Sequence, residues 1–187
     1  MNAHLLSRPE PLLFHLEPAG EALLEHPTEL IELDAFVPAP PGQVSAFVAD
    51  LAQSWRWMPG FLGVHFHTPH AFGEGATFDE VFNFMTIRMR VLRDDPGREW
   101  LATAEGCSLP VGERVVQRIS YLDAVDRTHV RWQVAIDLPP SLAPFFPVVG
   151  PMFRGLFAKG LENLAQLDWS RLRATTPPAP AKECATS

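Results

Sequence analysis

The stretch of sequence that decides the fold is VVGPMFRGLFAKGLENLAQL, residues 148–167. Large apolar residues recur in it at intervals of three and four, which predicts a long helix with one apolar face. The residues on that face are Val149, Phe153, Leu156, Gly160, Leu164 and Leu167. Arg154 and Glu162 point away from it, so we expect the helix to cover an apolar surface made by the rest of the chain.

The sequence before this helix has the alternating apolar pattern of β-strands. A first strand is predicted from Leu30 to Val37, and Pro41 then begins a short helix that reaches Leu51. Six further strands are predicted between turn signals, at residues 62–68, 76–82, 86–93, 99–105, 113–122 and 129–138. Because consecutive strands follow each other with short connections, we expect an antiparallel meander.

The size of the chain, 187 residues of which 47% are hydrophobic, predicts a single domain with one core. We place this domain at residues 29–170. Residues 1–28 mix prolines with short apolar patches and are predicted to form an N-terminal extension. Residues 171–187 are rich in Pro and Ala and have few large apolar groups, so they are predicted to be a disordered tail.

The charge and cysteine content exclude several classes of protein. Fifteen Lys and Arg against 22 Asp and Glu give a net charge of −7, which disfavours a nucleic-acid partner. The two cysteines, Cys107 and Cys184, are too few for a disulfide framework. The sequence has neither a basic and apolar leader nor a run of about 18 apolar residues, so we expect a cytoplasmic protein without a transmembrane segment.

The aromatic residues are unusual because 13 Phe and five Trp accompany a single Tyr. Phenylalanine rings need no hydrogen-bond partner when they are buried. This composition is typical of a protein whose ligand is apolar and is recognised mainly by its shape.

Several short motifs resemble those of the START-like (SRPBCC) superfamily and its polyketide cyclase/dehydrase-like members. They are Phe36-Val37-Pro38-Ala39-Pro40 with Phe47-Val48, Trp57-x-Pro59, and Gly150-Pro151-Met152-Phe153, and the likeness covers residues 30–169. The resemblance implies an α+β helix-grip fold, in which a curved antiparallel sheet of about seven strands wraps around a long C-terminal helix and two short helices follow the first strand. It also implies an elongated apolar cavity between the sheet and the long helix.

The cavity implied by the resemblance would bind a hydrophobic small molecule of polyketide, lipid or isoprenoid type. The candidate ligand-binding residues are Trp57, Phe78, Phe82, Met85, Met89, Trp100, Trp132, Val134, Phe153, Phe157 and Gly160. Gly160 either leaves room for a ligand or permits close packing of the helix. The alternation of the strands alone would also describe a sheet packed against the helix without a cavity. The expected partners are the ligand and, in a homodimer, a second copy of the chain.

Two residues are candidates for acid–base chemistry. Glu80 lies between Phe78 and Phe82 at a spacing of two, so it faces the cavity if the rings do. A carboxyl among phenylalanines has a raised pKa and can exchange protons near neutral pH, whereas outward-facing rings would leave Glu80 solvated. Tyr121 is the second candidate, as a proton donor or an anchor for a carbonyl, and its alternative role is that of an edge aromatic residue.

These residues leave two function classes open. The first is an enzyme of cyclase, aromatase or dehydratase type, a lyase or an isomerase, that shapes its substrate in the cavity. The second is a carrier of lipids or other hydrophobic ligands, or a ligand-responsive interaction protein, without catalysis.

A group of histidines suggests a third hypothesis, a metal-dependent enzyme. His65 and His67 share one face of a strand, and His70 follows shortly after, a spacing that can hold zinc or iron. The alternating Leu62, Val64 and Phe66 are apolar, which places the histidines on the opposite, solvated face. We therefore expect neither a metal nor any other cofactor.

Overall fold

A curved antiparallel sheet and one long helix build the molecule. The computed structural model of the chain describes residues 11–68 and 73–172. The strands are β1 (Phe14–His15), β2 (Glu29–Val37), β3 (Phe61–Phe66), β4 (Thr77–Phe82), β5 (Thr86–Asp95), β6 (Glu99–Cys107), β7 (Arg114–Asp123) and β8 (Thr128–Asp137). The α-helices are α1 (Pro41–Ala49), α2 (Phe146–Gln166) and α3 (Trp169–Leu172), and short 3-10 helices cover Glu21–Leu24, Leu51–Arg56 and Ala143–Phe145.

The main path of the sheet has the strand order β2-β8-β7-β6-β5-β4-β3. Strands β3 to β8 form the predicted meander of sequential hairpins. The first long strand pairs with the last, from Glu29 opposite Ile136 to Val37 opposite Thr128. The α+β helix-grip fold predicted from the sequence is confirmed, including α1 and the Leu51–Arg56 turn after the first long strand.

Helix α2 lies against the sheet through the apolar face that its spacing predicts. Phe153, Leu161 and Leu164 are buried on that face, and the exposed side carries Arg154 and Glu162. The helix begins two residues earlier than predicted, with Pro147 in its first turn, where a missing N–H costs no helical hydrogen bond.

The N-terminal segment is part of the sheet, although the sequence indicated only an extension. Strands β6 and β7 pair as far as Thr103 opposite Val116. Beyond that point β1 pairs with Gly106 and Cys107 of β6, and the Leu16 N–H donates to the Glu105 carbonyl at 3.1 Å. The next residue, Glu17, donates its N–H to the Glu113 carbonyl at 2.8 Å, so the segment bridges the opening between the two strands.

Leu23 and Leu24 anchor the same segment on the outer face of the sheet. They are buried against Leu101, Val116 and Ala135, which form a small second core. The segment therefore contributes both backbone pairing and apolar contact to the domain.

At the other end, the predicted tail begins too early, because Arg171 and Leu172 belong to α3. Residues 173–187 lie outside the described residues, as do residues 1–10 and the loop residue His70. Among the described helices, none is both long enough and apolar enough to span a membrane.

Candidate functional site

An apolar cavity lies between the concave face of the sheet and α2. Its walls come from strands β4 to β8, from α1 and the turn after it, and from α2. The empty space enclosed by the lining atoms is about 900 Å³, and part of it is open to solvent. The centre of a water-sized molecule can occupy about 80 Å³ of this space. The site is thus a narrow cavity with walls that are mostly hydrocarbon.

Nine of the sequence-predicted ligand-binding residues line this cavity. They are Trp57, Phe82, Met85, Met89, Trp100, Trp132, Val134, Phe153 and Phe157. Three aromatic rings make one wall, where the Trp132 ring lies 5.8 Å from that of Trp57 and 4.7 Å from that of Phe157, measured between centroids.

Two of the predicted residues, Phe78 and Gly160, lie outside the lining. Phe78 is 1% exposed and packs in the core against Phe66, with 6.1 Å between the ring centroids. A Cβ at Gly160 would lie 2.7 Å from the Met58 sulfur, so the glycine lets α2 approach the Trp57-Met58 pair closely. Of the two hypotheses for Gly160, the structure favours close packing.

Glu80 faces the cavity from β4. It is paired with Val64 of β3 and Ile87 of β5, and the period of two places it on the inner face with Phe82. Within the described parts of the chain, no side chain bonds to its carboxyl. Burial raises the pKa of this carboxyl to about 7. Glu80 can therefore be present in both protonation states at neutral pH.

Tyr121, the second predicted acid–base residue, does not line the cavity. It is 4% exposed and is packed in the core at the end of the inner face of β7. Burial, assisted by the negative charge of Asp94, raises the pKa of the phenol far above its ordinary value. A phenol in this place keeps its proton at neutral pH and has no contact with the cavity.

Gln117 is a polar lining residue that the sequence analysis did not select. It lies on β7 between Val115 and Ile119, which also line the cavity. The sequence pattern left both faces of β7 open, because Val116 on the outer face is as apolar and as buried as Val115 on the inner face. Gln117 lies on β7 and Glu80 on β4, three strands apart in the sheet, and no hydrogen bond joins their side chains.

The predicted histidine face is found where the pattern placed it, opposite the cavity. His67 Nε2 lies 3.0 Å from Oδ2 of Asp79, and the His65 ring packs edge-on against that of His67. Arg88 also holds Asp79, with Nε 2.8 Å from Oδ1 and Nη2 3.1 Å from Oδ2. Burial opposes ionisation of Asp79, but the hydrogen bonds from Arg88 and His67 outweigh it and lower the pKa of the carboxyl.

His65, His67 and Asp79 are the group in the described part of the chain that could hold a metal ion. Their ligand atoms lie within 4.8 Å of one another. Both oxygens of Asp79 are already engaged by Arg88, which makes the group a buried ion pair covered by two histidines.

A second apolar groove adjoins the cavity under the start of α2. It is lined by Leu109, Pro110, Val111, Leu138, Leu142, Phe145, Phe146, Val149, Met152 and Phe153. Val111 and Phe153 line both spaces, so the two are neighbours. Residues 138–153, which supply most of this groove, include no charged residue.

Comparison of the sequence with protein families agrees with this geometry. The family described as "Polyketide cyclase / dehydrase and lipid transport" matches residues 30–167. No curated protein sequence matches the chain.

Several solved structures share the fold. The protein TTHA0849 from Thermus thermophilus is 14% identical, with a TM-score of 0.59 over 80% of this chain and 100% of that one. A START superfamily protein from Mycobacterium smegmatis is 16% identical, with a TM-score of 0.55 over 79% of this chain and 99% of that one. The di-domain ARO/CYC BexL from the BE-7585A biosynthetic pathway is 20% identical, with a TM-score of 0.57 over 74% of this chain and 45% of that one.

Proposed function

This chain belongs to the polyketide cyclase/dehydrase and lipid transport family, and from that premise we propose that it binds a hydrophobic small molecule in the cavity and catalyses its cyclisation or dehydration. The ligand classes that fit are polyketide, lipid and isoprenoid. One observation carries the catalytic part of the proposal. Among the described residues that line the cavity, Glu80 is the only ionisable one, and its pKa of about 7 suits proton transfer at neutral pH.

A carboxyl of this kind can serve as both base and acid in an elimination. The ionised Glu80 accepts a proton from a carbon next to a ligand carbonyl, and the electron pair left behind forms the double bond. The hydroxyl on the next carbon takes the proton back from Glu80 and leaves as water. Glu80 ends in its starting state, so the dehydration needs no co-reactant.

The rest of the cavity contributes shape and the exclusion of water. The rings of Trp57, Trp132 and Phe157 form a stiff wall, and the thioethers of Met85 and Met89 adapt to an irregular ligand. Holding a flexible chain in a folded conformation brings its reacting carbons together, which accelerates an intramolecular reaction.

We expect the purified protein to bind N-phenyl-1-naphthylamine, a neutral apolar dye whose fluorescence rises in such cavities. An extract of the protein analysed by mass spectrometry should contain a retained hydrophobic molecule that displaces the dye. Absence of both dye binding and a retained molecule would contradict ligand binding in this cavity.

Replacement of Glu80 tests the catalytic step separately. Glu80→Gln keeps the size of the side chain and removes its proton exchange. If the protein is a dehydratase, the variant expressed in the native host should retain a species heavier by one water than the species retained by the wild type. Glu25→Gln, at an exposed position, is the matched control and should retain the wild-type species.

A carrier without catalysis is the second candidate function. The observation in its favour is that no other described side chain bonds to the Glu80 carboxyl, so no second group is positioned to share a proton transfer with it, and the Gln117 amide bonds to Trp132 instead. For a carrier, wild type and Glu80→Gln should retain the same species.

A further inference from the structure

Two side chains that line the cavity carry hydrogen-bond donors without a good acceptor among the described residues. The indole Nε1 of Trp57 is the buried side-chain nitrogen that has no hydrogen-bond partner in the described part of the chain. Trp57 is 4% exposed and lines the cavity. Buried polar groups without a partner are rare in folded proteins, and each calls for a physical explanation.

Gln117 supplies a second donor, and its orientation is fixed by chemistry. The Trp132 Nε1–H donates to Oε1 of Gln117 at 3.2 Å. Because an indole nitrogen can only donate, the oxygen of the amide must face Trp132 and the NH2 group must face the other way. There the amide nitrogen meets only the Met89 sulfur, at 3.9 Å, which is a weak acceptor.

The neighbouring strand leaves this amide free to reach into the cavity. Gln117 lies opposite Ala102 of β6, and Met89 of β5 lies opposite Ala104. The two alanines are fully buried and short, so the Gln117 side chain extends over β6 to Met89. Gln117 is 8% exposed, and it lines the cavity with Trp132.

The charge of the cavity restricts which acceptor these donors can bind. The described lining residues include no Lys, Arg or His, and the single acid, Glu80, repels an anion when it is ionised. A carboxylate or phosphate buried here would have no counter-charge. A neutral carbonyl oxygen fits both the donors and the apolar walls.

We infer that the ligand is a neutral, carbonyl-bearing apolar molecule, whose oxygen accepts hydrogen bonds from the Gln117 amide and the Trp57 indole. The inference rests on the proposed function and narrows its ligand class, because it disfavours pure hydrocarbons, fatty-acid anions and phospholipid headgroups. Gln117 lies on β7, three strands from Glu80 on β4, and its amide reaches across β6 to Met89 of β5. Gln117 is therefore a specificity residue, which holds the ligand oxygen at a place on the cavity wall other than the Glu80 carboxyl.

Two competitors of equal size test the inference. 2-Acetylnaphthalene and 2-ethylnaphthalene differ by the carbonyl oxygen, and each is titrated against bound N-phenyl-1-naphthylamine. The wild type should prefer the ketone by roughly threefold to tenfold, the range expected for one net hydrogen bond. Gln117→Leu and Trp57→Phe should each reduce that preference towards one. The preference is the ratio of two affinities measured in the same variant, so a change in the shape of the cavity wall that affects both naphthalenes equally leaves it unchanged.

The controls separate the outcomes. Gln166→Leu makes the same change at an exposed position of α2 and should keep the wild-type preference. Gln117→Met fills the same space with a more flexible side chain, and it replaces Gln117→Leu in the titrations if that variant fails to fold. Dye binding without a ketone preference in the wild type, or a preference unchanged in both variants, overturns this inference alone. Failure of the folded wild type both to bind the dye and to retain a hydrophobic molecule overturns the proposed function as well.

Discussion

At the scale of single residues, two adjacent carboxyls of β4 have opposite environments. Asp79 lies on the outer face, where Arg88 and His67 donate to it and lower its pKa. Glu80 lies on the inner face, where the cavity walls offer its carboxyl no hydrogen bond and burial raises its pKa to about 7. The alternation of side chains along the strand thus places an ion pair on the outer face of the sheet and a protonatable carboxyl on the face that lines the cavity.

The raised pKa of Glu80 predicts a pH-dependent stability. The folded protein holds this proton more tightly than the unfolded chain, in which the carboxyl has an ordinary pKa of 4.5. Between the unfolded pKa of 4.5 and the folded pKa of about 7, the carboxyl is mostly ionised in the unfolded chain and mostly protonated in the folded protein. The contribution of Glu80 to the free energy of unfolding therefore falls as pH rises through this range, and it changes no further above about pH 7. Relative to Glu80→Gln, the wild type should lose about 2 to 3 kcal/mol between pH 5 and pH 8.

Urea unfolding of both proteins at the two pH values measures this difference. Glu25→Gln, at an exposed position, should follow the wild type at each pH. An equal pH dependence of the wild type and Glu80→Gln would show that Glu80 titrates in the folded protein as it does in water.

At the scale of elements, two glycines of α2 have different neighbours. A Cβ at Gly155 would meet nothing within 4 Å, whereas one at Gly160 would meet the sulfur of Met58 at 2.7 Å. Asn163 of the same helix donates to the Trp57 carbonyl at 3.0 Å, so this part of α2 holds the Trp57 wall of the cavity in place.

Alanine at these two positions should change the free energy of unfolding in opposite directions. Gly155→Ala should raise the free energy of unfolding by about 0.5 to 1 kcal/mol, because alanine favours a helix and has room there. Gly160→Ala should lower it by about 1 kcal/mol, because Met58 must move. Since Met58 lines the cavity, only the second variant should also weaken dye binding, which a parallel titration checks. A gain in stability at both sites would contradict the close packing of Gly160.

The N-terminal segment has an equally local test. Leu16 is 1% exposed and belongs to the main core, while Leu12 is 92% exposed. Leu16→Ala should lower the free energy of unfolding by about 2 to 4 kcal/mol, and Leu12→Ala should change it by less than about 0.5 kcal/mol. Denaturant titrations of the two variants measure the difference, and similar small effects would mean that the segment only rests on the surface.

At the scale of the whole molecule, the fold could be predicted because the long elements have strong local patterns and follow each other in the order of the superfamily that the sequence resembles. The three-and-four spacing after Val148 and the alternation in β5 and β8 specify both the element type and the buried face. In each strand one face is apolar and the other carries arginine, so only the apolar face can turn towards the core. The same alternation correctly placed the His65–His67 pair opposite the cavity, but it left open which face of β4 is the inner one and therefore whether Glu80 lies inside.

The remaining features depend on contacts between distant segments. The pairing of β1 with β6 joins Phe14 to Cys107, and a two-residue strand has no periodicity to detect. Tyr121 lies on the same face as Gln117, but the cavity ends before it, and only the three-dimensional packing sets that limit. Phe78 likewise faces inward and is covered by Phe66.

The pairing of the first long strand with the last has a consequence for how the chain reaches its native state. Strand β2 is synthesised early, and its hydrogen-bonding partner β8 begins only at Thr128, more than 90 positions along the chain. The ribosome must therefore make nearly all of the domain before β2 can pair, and during that time its backbone groups are an open template for other strands. Contacts between such distant positions slow folding, so the vulnerable period for aggregation is during biosynthesis rather than in the finished protein.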